Sequence, residues 1–202
     1  KGHIFKTNTD TEVIVHLYEE HGDDCAKFLN GIFAFAIWDS REEKLVLVRD
    51  RFGIKPLAYY NKNGRLLFAS ETKSIIQDTS VPREIDFEAV HHYLSYLSVP
   101  SPLTIYKDIK KLPPASIVIC QHGKVIEKQY WSLSPEKLTL NSIEQYSDMF
   151  YELLKDSIKM QLMSDVPLGA FLSGGIDSSS IVGLMSEVSS QPVKTFSIGV
   201  KE

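Results

Sequence analysis

The run Leu172-Ser173-Gly174-Gly175-Ile176-Asp177-Ser178-Ser179 stands between a short apolar stretch and a helix-forming one. Its residues suit the cradling of an anion. Two adjacent glycines take turn dihedrals closed to other residues and let the backbone approach a ligand closely. The first N–H groups of the following helix have no intrahelical partner and carry partial positive charge. Ser173, Ser178 and Ser179 add hydroxyl donors, and the loop lies at the carboxyl end of a strand, where open α/β sheets bind ligands. Four serines and one aspartate within residues 173–180 exceed the hydrogen-bonding needs of a plain strand-to-helix turn. Asp177 would repel phosphate unless a divalent cation lay between them, which makes it a candidate metal ligand. Neither GxxxxGK[ST] nor GxGxxG is present, so a Walker-type loop and a dinucleotide-binding loop are excluded.

A βαβ unit must position that loop. Residues 168–172 read as a short buried strand, 178–188 as a helix and 193–200 as a second strand, expected to run parallel to the first. Upstream, Ile143, Tyr146, Phe150, Leu153, Leu154, Ile158 and Leu162 recur at three- and four-residue steps, which predicts one apolar helix face. Ser142 and Gln145 fit a capping box at its start. The first half is strand-rich. Residues 32–38, apolar on both faces, predict a strand between two layers, and 45–48 return as its neighbour. Residues 56–60 and 66–69 flank Asn63-Gly64, a hairpin signal because both residues tolerate positive φ. A short helix is expected after Glu71, and another over 87–97 behind the N-cap Asp86. Residues 116–120 and 125–131 form a further strand pair. A polar stretch holding Pro135 divides the chain, giving domains at 1–132 and 142–202 with a linker at 133–141.

The 202 residues carry a formal net charge of −4, with no long block of either sign, so neither a nucleic-acid partner nor a membrane surface is expected. No apolar run approaches the roughly 18 residues of a membrane span. Cys25 and Cys120 are far apart in sequence, which fits a reducing cytoplasm better than a disulfide framework. His3, His16, His21 and His122 show no ligand spacing, and the adjacent His91 and His92 would diverge on a helix. Arg49, Asp50, Arg51 and Lys55 read as an ion-pair network, or as groups that reach a substrate. The chain opens on Lys1-Gly2-His3 and closes on an apolar strand-like run, and is expected to be an internal piece of a longer protein.

The Ser-Gly-Gly-Ile-Asp-Ser run resembles the SGGxDS loop of the ATP pyrophosphatases, and residues 163–179 resemble the start of the synthetase domain of glutamine-hydrolysing asparagine synthetases. Residues 33–39, 49–57 and 68–71, with Leu112-Pro-Pro114 and Tyr130-Trp131, resemble successive landmarks of that family's class II glutamine amidotransferase domain. The resemblance covers nearly the whole chain. It implies the αββα sandwich of N-terminal-nucleophile hydrolases, followed by the start of a parallel-sheet ATP-pyrophosphatase domain. By the same resemblance ATP contacts fall on Leu172, Ser173, Gly174, Gly175, Asp177, Ser178 and Ile198, with Mg2+ on Asp177. Asp10, in Thr9-Asp10-Thr11-Glu12, matches the aspartate that holds the substrate glutamine; the residues alone also allow a helix N-cap there. The family's nucleophile is a cysteine at the mature N-terminus. Lys1 stands first here, so no catalytic residue of glutamine hydrolysis is expected in this chain, and Cys25 and Cys120 are expected to be structural thiols. The implied partners are glutamine, aspartate and ATP, the implied location is the cytoplasm, and a homodimer is the default assembly. Two alternatives stay open: amide transfer to another carboxylate, such as a sugar acid, a peptide or a β-lactam precursor, and a nucleotide-binding regulatory paralogue without chemistry.

Overall fold

Strand β2 (Lys44–Arg49), after β1 (Ala34–Asp39), buries Val46, Leu47 and Val48 completely, although successive side chains of a strand point to opposite faces. Such a strand needs a packed layer on each side, and it has both. The computed structural model describes residues 2–135 and 142–199, and the chain divides into compact units at 1–134 and 135–202. In the first unit β2 pairs antiparallel with β1 and with β6 (Ser116–Gln121), which pairs with β7 (Lys124–Gln129). A second antiparallel sheet has β3 (Ala58–Lys62) between β4 (Arg65–Ala69) and β5 (Ile109–Lys111).

On one face of the larger sheet, Val46, Val48 and Ile117 pack with Ala26, Tyr130 and Tyr18; Tyr18 belongs to α1 (Asp10–His21). On the other, Leu47 and Val118 meet Leu57, Tyr59 and Leu112. Beyond those, Ala58, Tyr60 and Ile109 pack on Val81 and on Ile75 of α2 (Thr72–Ile75). The first unit is therefore a mixed α/β body whose two antiparallel sheets share one apolar seam.

Several local features follow the sequence. Asn63 and Gly64 take φ of 54° and 70° at the β3–β4 turn, and the Asp86 carboxylate accepts from Glu88 and Ala89 N–H to start α3 (Phe87–Tyr96). Others differ. β1 is an edge strand, and Trp38 on it is 61% exposed, so the expected two-sided burial belongs to its neighbour β2. The three-residue β5 was too short to leave a periodic signal. Arg49, Asp50, Arg51 and Lys55 do not form an ion-pair network. Instead Arg49 donates to the carbonyls of Gly53, Lys55 and Leu112 at 2.5–2.7 Å, while buried Asp50 accepts from Phe52, Ile54 and Lys55 N–H at 2.9–3.1 Å. Charges placed among orphaned backbone groups bond those groups in preference to each other.

In the second unit Ser142 caps α4 (Ile143–Gln161) through Gln145 N–H. Ile158, Leu154 and Leu162 pack on Leu184 and Met185 of α5 (Ile176–Val188), and Lys155 pairs with Glu187 at 2.9 Å. Ile143, Phe150 and Leu153, part of the same expected stripe, are exposed. Residues 136–141 of the expected linker and 200–202 lie outside the described residues. Among the described residues no helix is long and apolar enough to cross a membrane.

Candidate functional site

β8 (Ala170–Phe171) and β9 (Thr195–Phe196) run parallel, with α5 between them in sequence. Leu172 extends the ladder. Its N–H donates to Phe196 O at 2.9 Å, and its carbonyl accepts from Ser197 Oγ at 2.6 Å. Leu172 is thus brought beside the segment that carries Ile198, whose side chain is exposed.

The chain then turns through Gly174 at φ 82°, a conformation that costs any side-chain-bearing residue. Gly175 is the N-cap of α5 and no side chain caps the helix. The first helical bond runs from Ser179 N–H to Gly175 O at 3.0 Å, so the N–H groups of Ile176, Asp177 and Ser178 precede it. Ser178 Oγ donates to Gly175 O at 3.1 Å and lies 3.1 Å from Ser173 Oγ, which leaves Ser173 to donate to Ser178. These hydroxyls hold the loop closed on itself and must turn to serve a ligand. Asp177 sits in the first turn of α5, where the helix dipole favours its charge, and no hydrogen bond or ion pair among the described residues engages it.

Gly169 escaped the motif reading. A Cβ there would stand 2.5 Å from the Phe196 ring and 3.1 Å from Lys194 O, so β9 approaches β8 this closely only over a glycine. The available signal was a lone glycine inside an apolar strand-like run.

Asp10 opens α1 and is exposed. The N-cap is Thr9, not Asp10, which corrects the capping alternative; among the described residues Asp10 accepts only a 3.3 Å bond from Thr11 Oγ1. Glu12 closes this helix start, accepting from Lys6 and Thr7 N–H at 2.7 Å each, and these donors hold its carboxyl down at about 2. Cys25 is fully buried in the 3-10 turn Gly22–Phe28, and burial pushes its thiol up to about 11. It is a poor nucleophile. Both cysteines are free. His3 and His16, expected to be unrelated, converge with Glu19.

Residues 1–131 match the family model described as a glutamine amidotransferase domain, and residues 149–202 match the one described as asparagine synthase. The chain is 38% identical over 206 residues to asparagine synthetase (glutamine-hydrolyzing) 1 of Bacillus subtilis (strain 168), covering 100% of this chain and 32% of that protein. It is 36% identical over 207 residues to asparagine synthetase (glutamine-hydrolyzing) 3 of the same organism, covering 100% and 34%. A solved structure of glutamine phosphoribosylpyrophosphate amidotransferase from B. subtilis aligns with TM-score 0.44 and 18% identity over 96% of this chain and 40% of that one. The chain spans about a third of the length of the curated relatives it matches.

Proposed function

The chain belongs to the glutamine amidotransferase domain family, and from that membership we propose that it is part of a glutamine-dependent asparagine synthetase. Residues 1–132 are then the glutaminase domain, 133–141 the linker and 142–202 the start of the ATP-binding domain. The first is an αββα sandwich of the N-terminal-nucleophile type, a reading supported by the succession of packed faces from α1 through both sheets to α2. The second begins a parallel-sheet ATP pyrophosphatase. One observation carries the proposal: a single polypeptide joins an amidotransferase domain to a glycine loop with an open helix N-terminus at the end of a parallel strand.

In the first domain the Asp10 carboxylate accepts from the α-ammonium of glutamine, a charge-assisted bond that selects an amino acid. Hydrolysis of the side-chain amide frees ammonia. In the second domain a β-carboxylate oxygen of aspartate attacks the α-phosphorus of ATP, the bond to the β-phosphate bridge breaks, and pyrophosphate leaves. Ammonia adds to the acyl carbon and loses a proton, and AMP departs to give asparagine. Ser173, Gly174, Gly175 and Ser178 hold the departing pyrophosphate through backbone N–H and hydroxyl groups, with Leu172 and Ile198 against the nucleoside. Asp177, an exposed carboxylate without a partner among the described residues, has the hard oxygen donors that Mg2+ takes. That ion, when bound, offsets phosphate charge. All substrates are small and water-soluble, consistent with a cytoplasmic enzyme, and a homodimer is the default assembly.

The test is pyrophosphate release by the complete protein with ATP, magnesium and glutamine, with and without aspartate. Release that requires aspartate is expected, and Asp177→Asn should abolish it with an unchanged circular dichroism spectrum. ATP binding without release, release driven by a different acceptor, or full turnover in Asp177→Asn rejects the assignment.

A further inference from the structure

We infer that His3, His16 and Glu19 form a site for a divalent transition-metal ion such as zinc. One ligand atom of each lies within 4.8 Å of the other two. Glu19 Oε2 stands 3.2 Å from His16 Nδ1 and 3.6 Å from His3 Nδ1, so both imidazoles turn the same ring nitrogen toward one carboxylate oxygen. The two rings are 4.6 Å apart, and Phe5 lies edge-on to His16 at 4.8 Å. Imidazole nitrogen with carboxylate oxygen is a donor set for zinc and its neighbours rather than for magnesium or calcium.

The opposite ring nitrogens support this assignment. His3 Nε2 meets Glu20 Oε1 at 2.9 Å, and His16 Nε2 faces Glu12 Oε1 at 3.6 Å. A metal-ligating histidine ordinarily gives its other N–H to a carboxylate, which sets its tautomer and ring angle. Both rings have such a carboxylate. His16 is the sharper case. While its Nδ1 serves Glu19, its Nε2 is a buried atom without a hydrogen bond, and a lone pair there would face a carboxylate. An ion on Nδ1 requires the ring proton at Nε2, where it points to Glu12. The carboxylates of Glu12, Glu19 and Glu20 all face the two imidazoles, an arrangement of donors that a dication suits.

Two elements build the site. His16 and Glu19 share a face of α1 at i,i+3 spacing. His3 comes from the preceding extended segment, which Glu12 fastens through Lys6 and Thr7.

Titration of the purified chain with zinc chloride tests the site, with stoichiometry read by calorimetry and ring nitrogens by long-range 1H–15N NMR. The expected result is one zinc per chain, with two histidine Nδ1 signals shifted and both rings in the Nε2–H tautomer. Glu19→Gln should weaken binding at least about 10-fold, and Glu20→Gln about 10-fold through His3, with the metal-free circular dichroism unchanged. The NMR reading on the unaltered chain stands even if a variant fails to fold. No zinc uptake, uptake that leaves both Nδ1 signals unmoved, or unchanged affinity in a His3→Gln, His16→Gln double variant overturns the site.

Discussion

Asp50 accounts for a stretch of backbone that no strand or helix organises. Its buried carboxylate takes three N–H groups from the turn that follows β2. Asp50→Ala strands all three, and a loss of about 3 kcal/mol is expected, read as a lowered denaturant midpoint. Asp78 gives a pH-dependent counterpart. Ser80 and then Arg65 hold its carboxyl at about 2, against an ordinary value of 3.8. A depressed carboxyl stabilises fully above its unfolded value and loses that contribution as pH falls toward the folded one. The Tm gap between the protein and Asp78→Asn should therefore be constant from pH 7 to about 5 and close as pH falls from about 4 to about 2; a gap that persists at pH 2 refutes this. Residue types alone showed that Arg49 and Asp50 matter. They did not show with what, because the carbonyl of Leu112 meets Arg49 only once the chain has folded.

The glycine loop was legible because its ingredients are contiguous: a strand end, a turn and a helix start speak for one another locally. The sequence pattern predicts α5 from 178 and the helix begins at Ile176, since small and acidic residues are accepted in a first turn. The strands around it are shorter than the apolar runs predict, with two residues each in β8 and β9. Their closeness rests on Gly169. In Gly169→Ala the exposed Phe196 ring can swing aside, but Lys194 O is backbone and must give way, at a cost of about 1–2 kcal/mol. Weaker ATP binding with α5 helicity unchanged is the expected outcome, measured by nucleotide titration beside circular dichroism. The apolar stripe of α4 was also legible as a stripe, but its division was not. Periodicity marks a face without saying how much of it a neighbour covers, and Leu154, Ile158 and Leu162 pack on α5 while Ile143, Phe150 and Leu153 are exposed.

On the proposed function the two chemistries would divide between the two units, and neither Cys25 nor Cys120 is expected to attack an amide. Cys25 is buried with a raised thiol, and Cys120 lies in β6. The isolated chain should release no ammonia from glutamine, and a coupled glutamate dehydrogenase assay that detected any would show a nucleophile where none is expected. What pattern reading missed at this level has one physical cause. His3 meets α1 through tertiary folding alone, so no spacing announces the histidine pair. The same kind of long-range meeting makes the turn after Asp50 unusual. Asp50 O accepts from Ala115 N–H, its own N–H donates to Phe33 O, and Arg49 reaches Leu112, so the turn is tied to residues that flank strands of both sheets. Its amide protons at Phe52, Ile54 and Lys55 are held on the buried Asp50 carboxylate, although the side chains of Phe52 and Ile54 are exposed. They should exchange with deuterium as slowly as those of β2, on the schedule of complete unfolding, in a segment that ordinary loops would surrender within minutes.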